Sequence, residues 1–325
     1  MSRFIGTARK GPWLLAAVSF LVLFVLSLCV GVSDFSLAEV WRDPQALQLL
    51  LISRLPRTLA AVLAGAGLAI SGLIMQTLAR NRFVEPATAG TAQSAQLGIL
   101  LITILCPAAA LPVKTLVASA GALLGTSVFI LAAQRLPPTQ PFLVPLFGLV
   151  YGGVIGAAVT FVAWQADLLQ YLDVWTTGEF SGVLRGRYEL LWIAAVLIGI
   201  SWWVADSLTV LALGRDVSIG LGLNYTRMLQ LGLVIVSLIS ALTVVVVGII
   251  PFVGLVVPNI ISRLMGDNMR GTIGWVAAAG AGLVLGCDIL GRLIRYPYEI
   301  PVGTVMGVAG ALLFLRLVFR RGAHG

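Results

Sequence analysis

Residues 206–270 decide the fold: DSLTVLALGRDVSIGLGLNYTRM (206–228) runs directly into LQLGLVIVSLISALTVVVVGIIPFVGLVVPNIISRLMGDNMR (229–270). The first part is punctuated by glycine and carries a charge pair, Arg215 and Asp216, between apolar runs. From Met228 to Ser262 no side chain is charged, a run of 35 residues. One crossing of a ~30 Å hydrocarbon layer takes only about 20 helical residues. The run is therefore expected to break into two helices at Pro251 and Pro258, beside Gly248 and Gly254. A short helical loop at a membrane surface, then a hairpin with a broken second arm, is the layout of a transporter rather than an anchor.

Composition leads to the same place. The chain has 325 residues, 59% hydrophobic and 10% charged, whereas a soluble domain carries about 25% charged residues. The net charge of +8 raises the question of nucleic acid. Its arginines are scattered singly or in pairs between apolar runs, and no basic stretch is interleaved with aromatics, so nucleic acid is excluded as a partner. The positive charge belongs to the membrane. Arg3, Arg9 and Lys10 precede an uncharged run from Gly11 to Ser33, long enough to span and longer than a signal core of about 7 to 15 residues. It reads as a retained first helix. Cys29, Cys106 and Cys287 lie far apart inside apolar runs and behave as small hydrophobes. With His324 the only histidine, no disulfide or metal pattern is present.

Charge-free windows place spans near 13–32, 57–78, 90–108, 114–134, 144–166, 189–205, 229–249, 252–265, 273–291 and 301–319. The expected fold is all-α: a polytopic membrane protein of about ten transmembrane helices forming one domain, 1–325. With the N-terminus inside, cytoplasmic segments hold thirteen of the 21 lysines and arginines but only four of the 13 acids. The positive-inside rule then puts both termini and the 206–228 loop in the cytoplasm and the 167–189 loop outside. Glycines within the spans, among them Gly65, Gly67, Gly148, Gly152, Gly153, Gly156, Gly280, Gly282 and Gly286, are read as helix-packing positions.

Two motifs carry a resemblance. LALGRDVSIGLG (Leu211 to Gly222) and PFVGLVVPN (Pro251 to Asn259) resemble the LALGxxxAxxLG and GFVGLVVPH signatures of the permease subunit of ATP-driven (ABC) importers for ferric siderophores, haem and cobalamin. The resemblance spans nearly the whole chain and implies the type II ABC importer permease architecture. It also implies partners: ABC ATPase subunits, a periplasmic or lipid-anchored siderophore-binding protein, and a second permease, identical or homologous. The setting would be the bacterial inner membrane. The chain has no G-x-x-x-x-G-K-[ST] loop, so it lacks that means of holding ATP phosphates. No cofactor is expected on this chain, and ATP is used by the partner subunit.

The 206–228 loop is too long for a plain connection, and an apolar loop that must stay in water is better explained as covered by a partner. Two short helices broken at Gly214, Gly220 and Gly222 would present a knob, and the resemblance assigns Leu213, Gly214, Arg215, Asp216, Gly220, Leu221 and Gly222 to ATPase coupling. At the outer start of the second span, Arg54 and Arg57 in SRLPRTL stand on the side that the positive-inside rule depletes. Snorkelling is the ordinary reading. The resemblance instead implies that Arg54 and Arg57, with Arg292 in CDILGRLIRYPYEIPVG, receive carboxylates from the substrate-binding protein. Arginine suits this as a fixed charge with a bidentate fork, and Arg295 is a further candidate. TLARNRFVEPATAG (Thr77 to Gly90) resembles NPLAEPxxxG, with Asn81, Glu85 and Pro86 matching. Its bland reading is a capped turn in which Asn81 and Glu85 satisfy backbone amides. Gly254, Pro258 and Asn259 complete the structural motif residues, with Asn259 where most of the family has histidine.

The pattern W-x-x-G-x-F-S-x-V-x-x-G-R-Y-E from Trp175 to Glu189 is similar to that of permeases for catechol-type ferric siderophores. Haem and cobalamin are the neighbouring alternatives. An ion-coupled secondary transporter is the competing class. Against it, Asp288 is the one acid inside a predicted span, and pairing with Arg292 one turn on suits it better than a relay.

Overall fold

The computed structural model describes residues 10–31, 43–137, 140 and 143–319. Arg3, Arg9, Arg320, Arg321 and His324 lie outside the described residues. The apolar runs form helices that end where proline, glycine or charge interrupts them. These are α1 (Lys10–Cys29), α2 (Pro44–Leu49) continuing through a π turn (Leu50–Arg54) into α3 (Leu55–Leu78), α4 (Thr91–Leu105), α5 (Leu111–Ala133) and α6 (Leu143–Gln165). After α7 (Leu169–Thr176) come α8 (Trp192–Trp203), α9 (Ala205–Ala212), α10 (Arg215–Gly220), α11 (Tyr225–Val246), α12 (Val253–Met265), α13 (Met269–Ile294) and α14 (Val302–Phe319). Among the described residues there is no strand.

Five helices are long and apolar enough to cross a membrane: Pro44–Leu78, α5, α6, α11 and α13. A sixth is formed if Glu189–Trp203 and Ala205–Ala212, bent by 65°, are one span. Leu15–Cys29, α4, α12 and Val302–Leu317 are shorter apolar helices. Each span window of the sequence therefore holds an apolar helix.

Helix α3 runs through the middle of the bundle, packed by α13, α11, α12 and α8. Small residues let it be surrounded so closely. A Cβ on Gly65 would stand 2.5 Å from the Gly280 carbonyl of α13, and one on Gly72 would overlap the Gly254 backbone of α12. Other glycines of the spans do no such work: Gly153 and Gly286 have nothing within 4 Å of where a Cβ would be.

The run from Met228 to Ser262 breaks into two helices, as expected, and the break falls at Pro251 rather than at Pro258. Helix α11 stops at Val246, and the chain turns through Gly248 (φ +92°) and Phe252 (φ +67°) before α12 begins. Pro258 lies inside α12 and does not end it. Proline removes the amide that would bond the carbonyl four residues back, here Gly254. That carbonyl accepts instead from Gln76 Nε2 at 3.1 Å. The lost helical bond is replaced from α3, so the helix continues.

Candidate functional site

At the end of the bundle where α3 begins, five charged side chains interlock. Arg57 grips two carboxylates, Asp288 at 2.8 Å and Glu299 at 2.8 and 3.0 Å. Asp288 also pairs with Arg292 at 2.7 Å, one turn further along α13, the pairing expected from sequence. Arg292 reaches on to α1, donating to Ser27 O (2.9 Å), Val30 O (2.6 Å) and Ser27 Oγ (2.9 Å). Arg54 donates to Val30 O at 2.5 Å and more weakly to Leu28 O and Cys29 O at 3.5 Å. These acceptors sit at the C-terminus of α1, where a helix leaves carbonyls without internal partners and favours positive charge. Two arginines from other helices thus close the end of α1.

This geometry differs from three cations facing outward. Arg54 and Arg292 are 6% and 4% exposed, with donors spent inside the chain. Arg57 keeps 14% of its side chain accessible. The fork chemistry that singled out arginine is used, but on the chain's own carbonyls and carboxylates. Glu299 and Ser27 were not singled out by the sequence reading; nothing local marks Ser27, since its partner is 265 residues away. Arg295, by contrast, is exposed, with its guanidinium over the Tyr298 ring.

The turn after α3 joins the hairpin. Asn81 Oδ1 accepts from its own Phe83 amide at 2.8 Å, the local capping expected of it. Glu85 does more. Its buried carboxylate accepts from the amides of Phe252 (2.9 Å) and Leu255 (3.1 Å). It thereby caps the N-terminus of α12, where free amides favour an anion. Asn259 Nδ2 donates to Arg82 O and Leu255 O, both at 2.7 Å. Pro86 follows Glu85 beside a small cavity reaching Ser240 and Gly248. The Thr77–Gly90 and Pro251–Asn259 motifs are one structural unit.

The 206–228 loop splits into a rooted and an exposed part. Leu208 and Leu211 are buried in the core at 0% and 1%. Leu213, Val217, Ile219 and Leu221 stand exposed, with Arg215 and Asp216 also exposed between them. Ser218 Oγ fastens the knob to Val210 O at 3.0 Å. Its turns fall at Gly214 (φ +107°) and Gly222 (φ +82°), conformations that side chains resist. Gly220 is the exception among the three expected breaks: it ends α10 without positive φ and has open space around it.

Apolar helices long enough to span, packed around one buried helix with an exposed apolar knob at one end, make a polytopic membrane bundle. The FecCD transport family matches residues 19–320, and the chain belongs to that family. The petrobactin import system permease protein YclN of Bacillus subtilis is 41% identical over 308 residues, covering 94% of this chain and 98% of that protein. The ferric-anguibactin transport system permease protein FatD of Vibrio anguillarum is 35% identical over 305 residues, covering 93% and 97%. A solved metal-chelate type ABC transporter in an inward-facing conformation superposes with a TM-score of 0.80 at 24% identity, over 95% of this chain and 99% of that one. The all-helical architecture is that of an ABC importer permease. The chain is a transport subunit rather than an enzyme.

Proposed function

We propose that this chain forms half of the membrane path of an ATP-driven importer for a ferric siderophore of the catechol type. The observation that carries the ATP-driven part is the knob: four large apolar side chains exposed on a short helical loop fastened to the core. Such a patch is a surface awaiting a protein. On this reading its occupant is the ATPase subunit, seated on Leu213, Arg215, Asp216 and Leu221, with Gly214, Gly220 and Gly222 shaping the loop. The knob and both termini lie in the cytoplasm of a bacterial inner membrane crossed by ten helices, and a second permease completes the path. The siderophore reading draws on the Trp175–Glu189 pattern and on what the similar permeases are named for.

The Arg57 cluster faces the side from which a binding protein delivers. Arg57 is its one accessible arginine and the docking contact we assign there. Arg54 and Arg292 hold the helix ends beneath it. The test of the whole reading is uptake of labelled ferric petrobactin into vesicles holding the assembled importer. Uptake should need ATP and survive collapse of the ion gradients by ionophores; uptake that follows the gradient and ignores ATP would end it. For the knob itself, Ile219→Asp with Leu221→Asp should leave the fold intact and weaken ATPase co-purification by about thirtyfold or more, the scale of losing a central apolar anchor.

A further inference from the structure

Arg80 is an outlier of the backbone. It ends α3 in the left-handed region at φ +47°, with Asn81 N bonded to Gln76 O and Arg80 N to Thr77 O. This is the helix-ending motif whose left-handed position is normally glycine. An arginine there costs backbone energy, and strained residues of this kind gather at functional positions. The side chain supplies a reason. Its guanidinium lies against Gly214 of the knob, so close that a Cβ on Gly214 would stand 3.2 to 3.3 Å from it.

From Arg80 onward the turn is tied to α12 at three places. Arg82 O accepts from Asn259 at 2.7 Å, Glu85 caps the first amides of α12, and Arg82 pairs with Asp267 just past its end at 2.5 Å. A cavity of about 380 Å³, lined by Leu213, Arg80, Pro258 and Asp267, separates the knob from α12 beside this bridge. The turn spans that gap, with hydrogen bonds and an ion pair at the α12 end and the Arg80 guanidinium packed against Gly214 at the other.

We propose that Arg80 is the positioning residue through which the 206–228 loop acts on α12. A displacement of the loop by its partner shifts Arg80, and the rigid turn from Asn81 to Glu85 passes the shift to both ends of the half-helix. A coupling route needs more than adjacency; here each link is a named contact that can be cut separately. The inference rests on the reading of 206–228 as the ATPase-docking loop.

The experiment uses the complete importer, with its ATPase and binding protein, in proteoliposomes and with ferric petrobactin as substrate. Arg80→Gly places the usual residue in the motif and removes the guanidinium, so the fold should be at least as stable as wild type. The variant should keep its ATPase through purification and keep hydrolysing ATP. Substrate imported per ATP hydrolysed should fall by about tenfold or more, within the range of a coupling interaction. A wild-type ratio would overturn the proposal. Loss of the ATPase on purification would overturn it too, by making Arg80 part of the docking surface. The Ile219→Asp and Leu221→Asp variant separates the two readings: if it retains the ATPase, the docking assignment fails whatever Arg80→Gly does.

Discussion

Replacing Asp288 by asparagine removes a carboxylate that two arginines share. Asp288 is 3% exposed and receives Arg57 through Nη2 at 2.8 Å and Arg292 at 2.7 Å. Asparagine keeps a single acceptor oxygen and turns an amino group toward the second guanidinium. Breaking a buried ion pair by removing one partner costs about 3 to 5 kcal/mol. Two features pull the value to the low end. Arg57 retains both oxygens of Glu299, and Arg292 retains two α1 carbonyls and the Ser27 hydroxyl. We expect a loss of about 3 kcal/mol, which lowers the melting temperature by about 5 °C or more.

The assay is thermal unfolding of the purified chain in lipid nanodiscs, with Glu299→Gln beside it as a control. Glu299 is 26% exposed and serves one arginine, so its loss should cost less than half as much. The same Asp288→Asn protein should still import substrate with ATP when ion gradients are collapsed, because a carboxylate held by two guanidinium groups is structural. A melting temperature within a degree of wild type would refute the argument that this carboxylate is what neutralises the arginine cluster.

Three further outcomes follow from the α12 unit. Gly72→Ala should force α3 and α12 apart and destabilise by about 1 to 3 kcal/mol, the usual cost of overpacking, whereas Gly153→Ala, with open space around it, should be neutral in the same melt. Glu85→Ala leaves the amides of Phe252 and Leu255 without their acceptor and should cost about 3 kcal/mol, with Glu85→Gln milder because one acceptor oxygen remains. Gln76→Leu should cost about 1 to 3 kcal/mol by stranding the Gly254 carbonyl; adding Pro258→Ala, which restores a helical amide, should recover part of that loss, and strict additivity in the double-mutant cycle would refute the pairing.

What the sequence made legible was whatever is written locally. The charge-free run after Met228, the turns at Gly214 and Gly222 and the Asn81 turn are all properties of neighbours along the chain, and each appears where it was expected. Pro258 was misjudged because the rule that proline ends a helix looks only four residues back. The donor that rescues Gly254 is 178 residues away, on α3. The arginines were singled out for their bidentate fork, but the direction in which two of them use it depends on orphan carbonyls of α1, 24 to 265 residues distant. Gly220 looked like a break beside Gly222, yet only one of the two has to take positive φ. Arg80 left no mark in the sequence, since nothing but its backbone conformation distinguishes it from an ordinary charge at the end of a helix.

Pro56 and Pro258, each beyond the first turn of a continuous helical stretch, suggest a way to recover some of that distant information. Pro56 withdraws an amide from the Ile52 carbonyl, and that carbonyl accepts from the Arg185 amide at 3.0 Å, in the Trp175–Glu189 segment. Pro258 does the same to Gly254, and Gln76 answers. In hydrocarbon an exposed carbonyl has no water to turn to, so a helix broken by proline is tolerated only where protein supplies the missing donor. A proline within an apolar run is therefore a statement about another part of the chain: a polar hydrogen must arrive at the residue four positions earlier. The pairings here join α3 to α12 and the Trp175–Glu189 segment to the start of α3. In both, the proline lies within four residues of side chains that the sequence already marked, Arg54 and Arg57 in one case and Gly254 and Asn259 in the other. Local irregularity and long-range contact at these sites are one feature, because the first cannot exist in a membrane without the second.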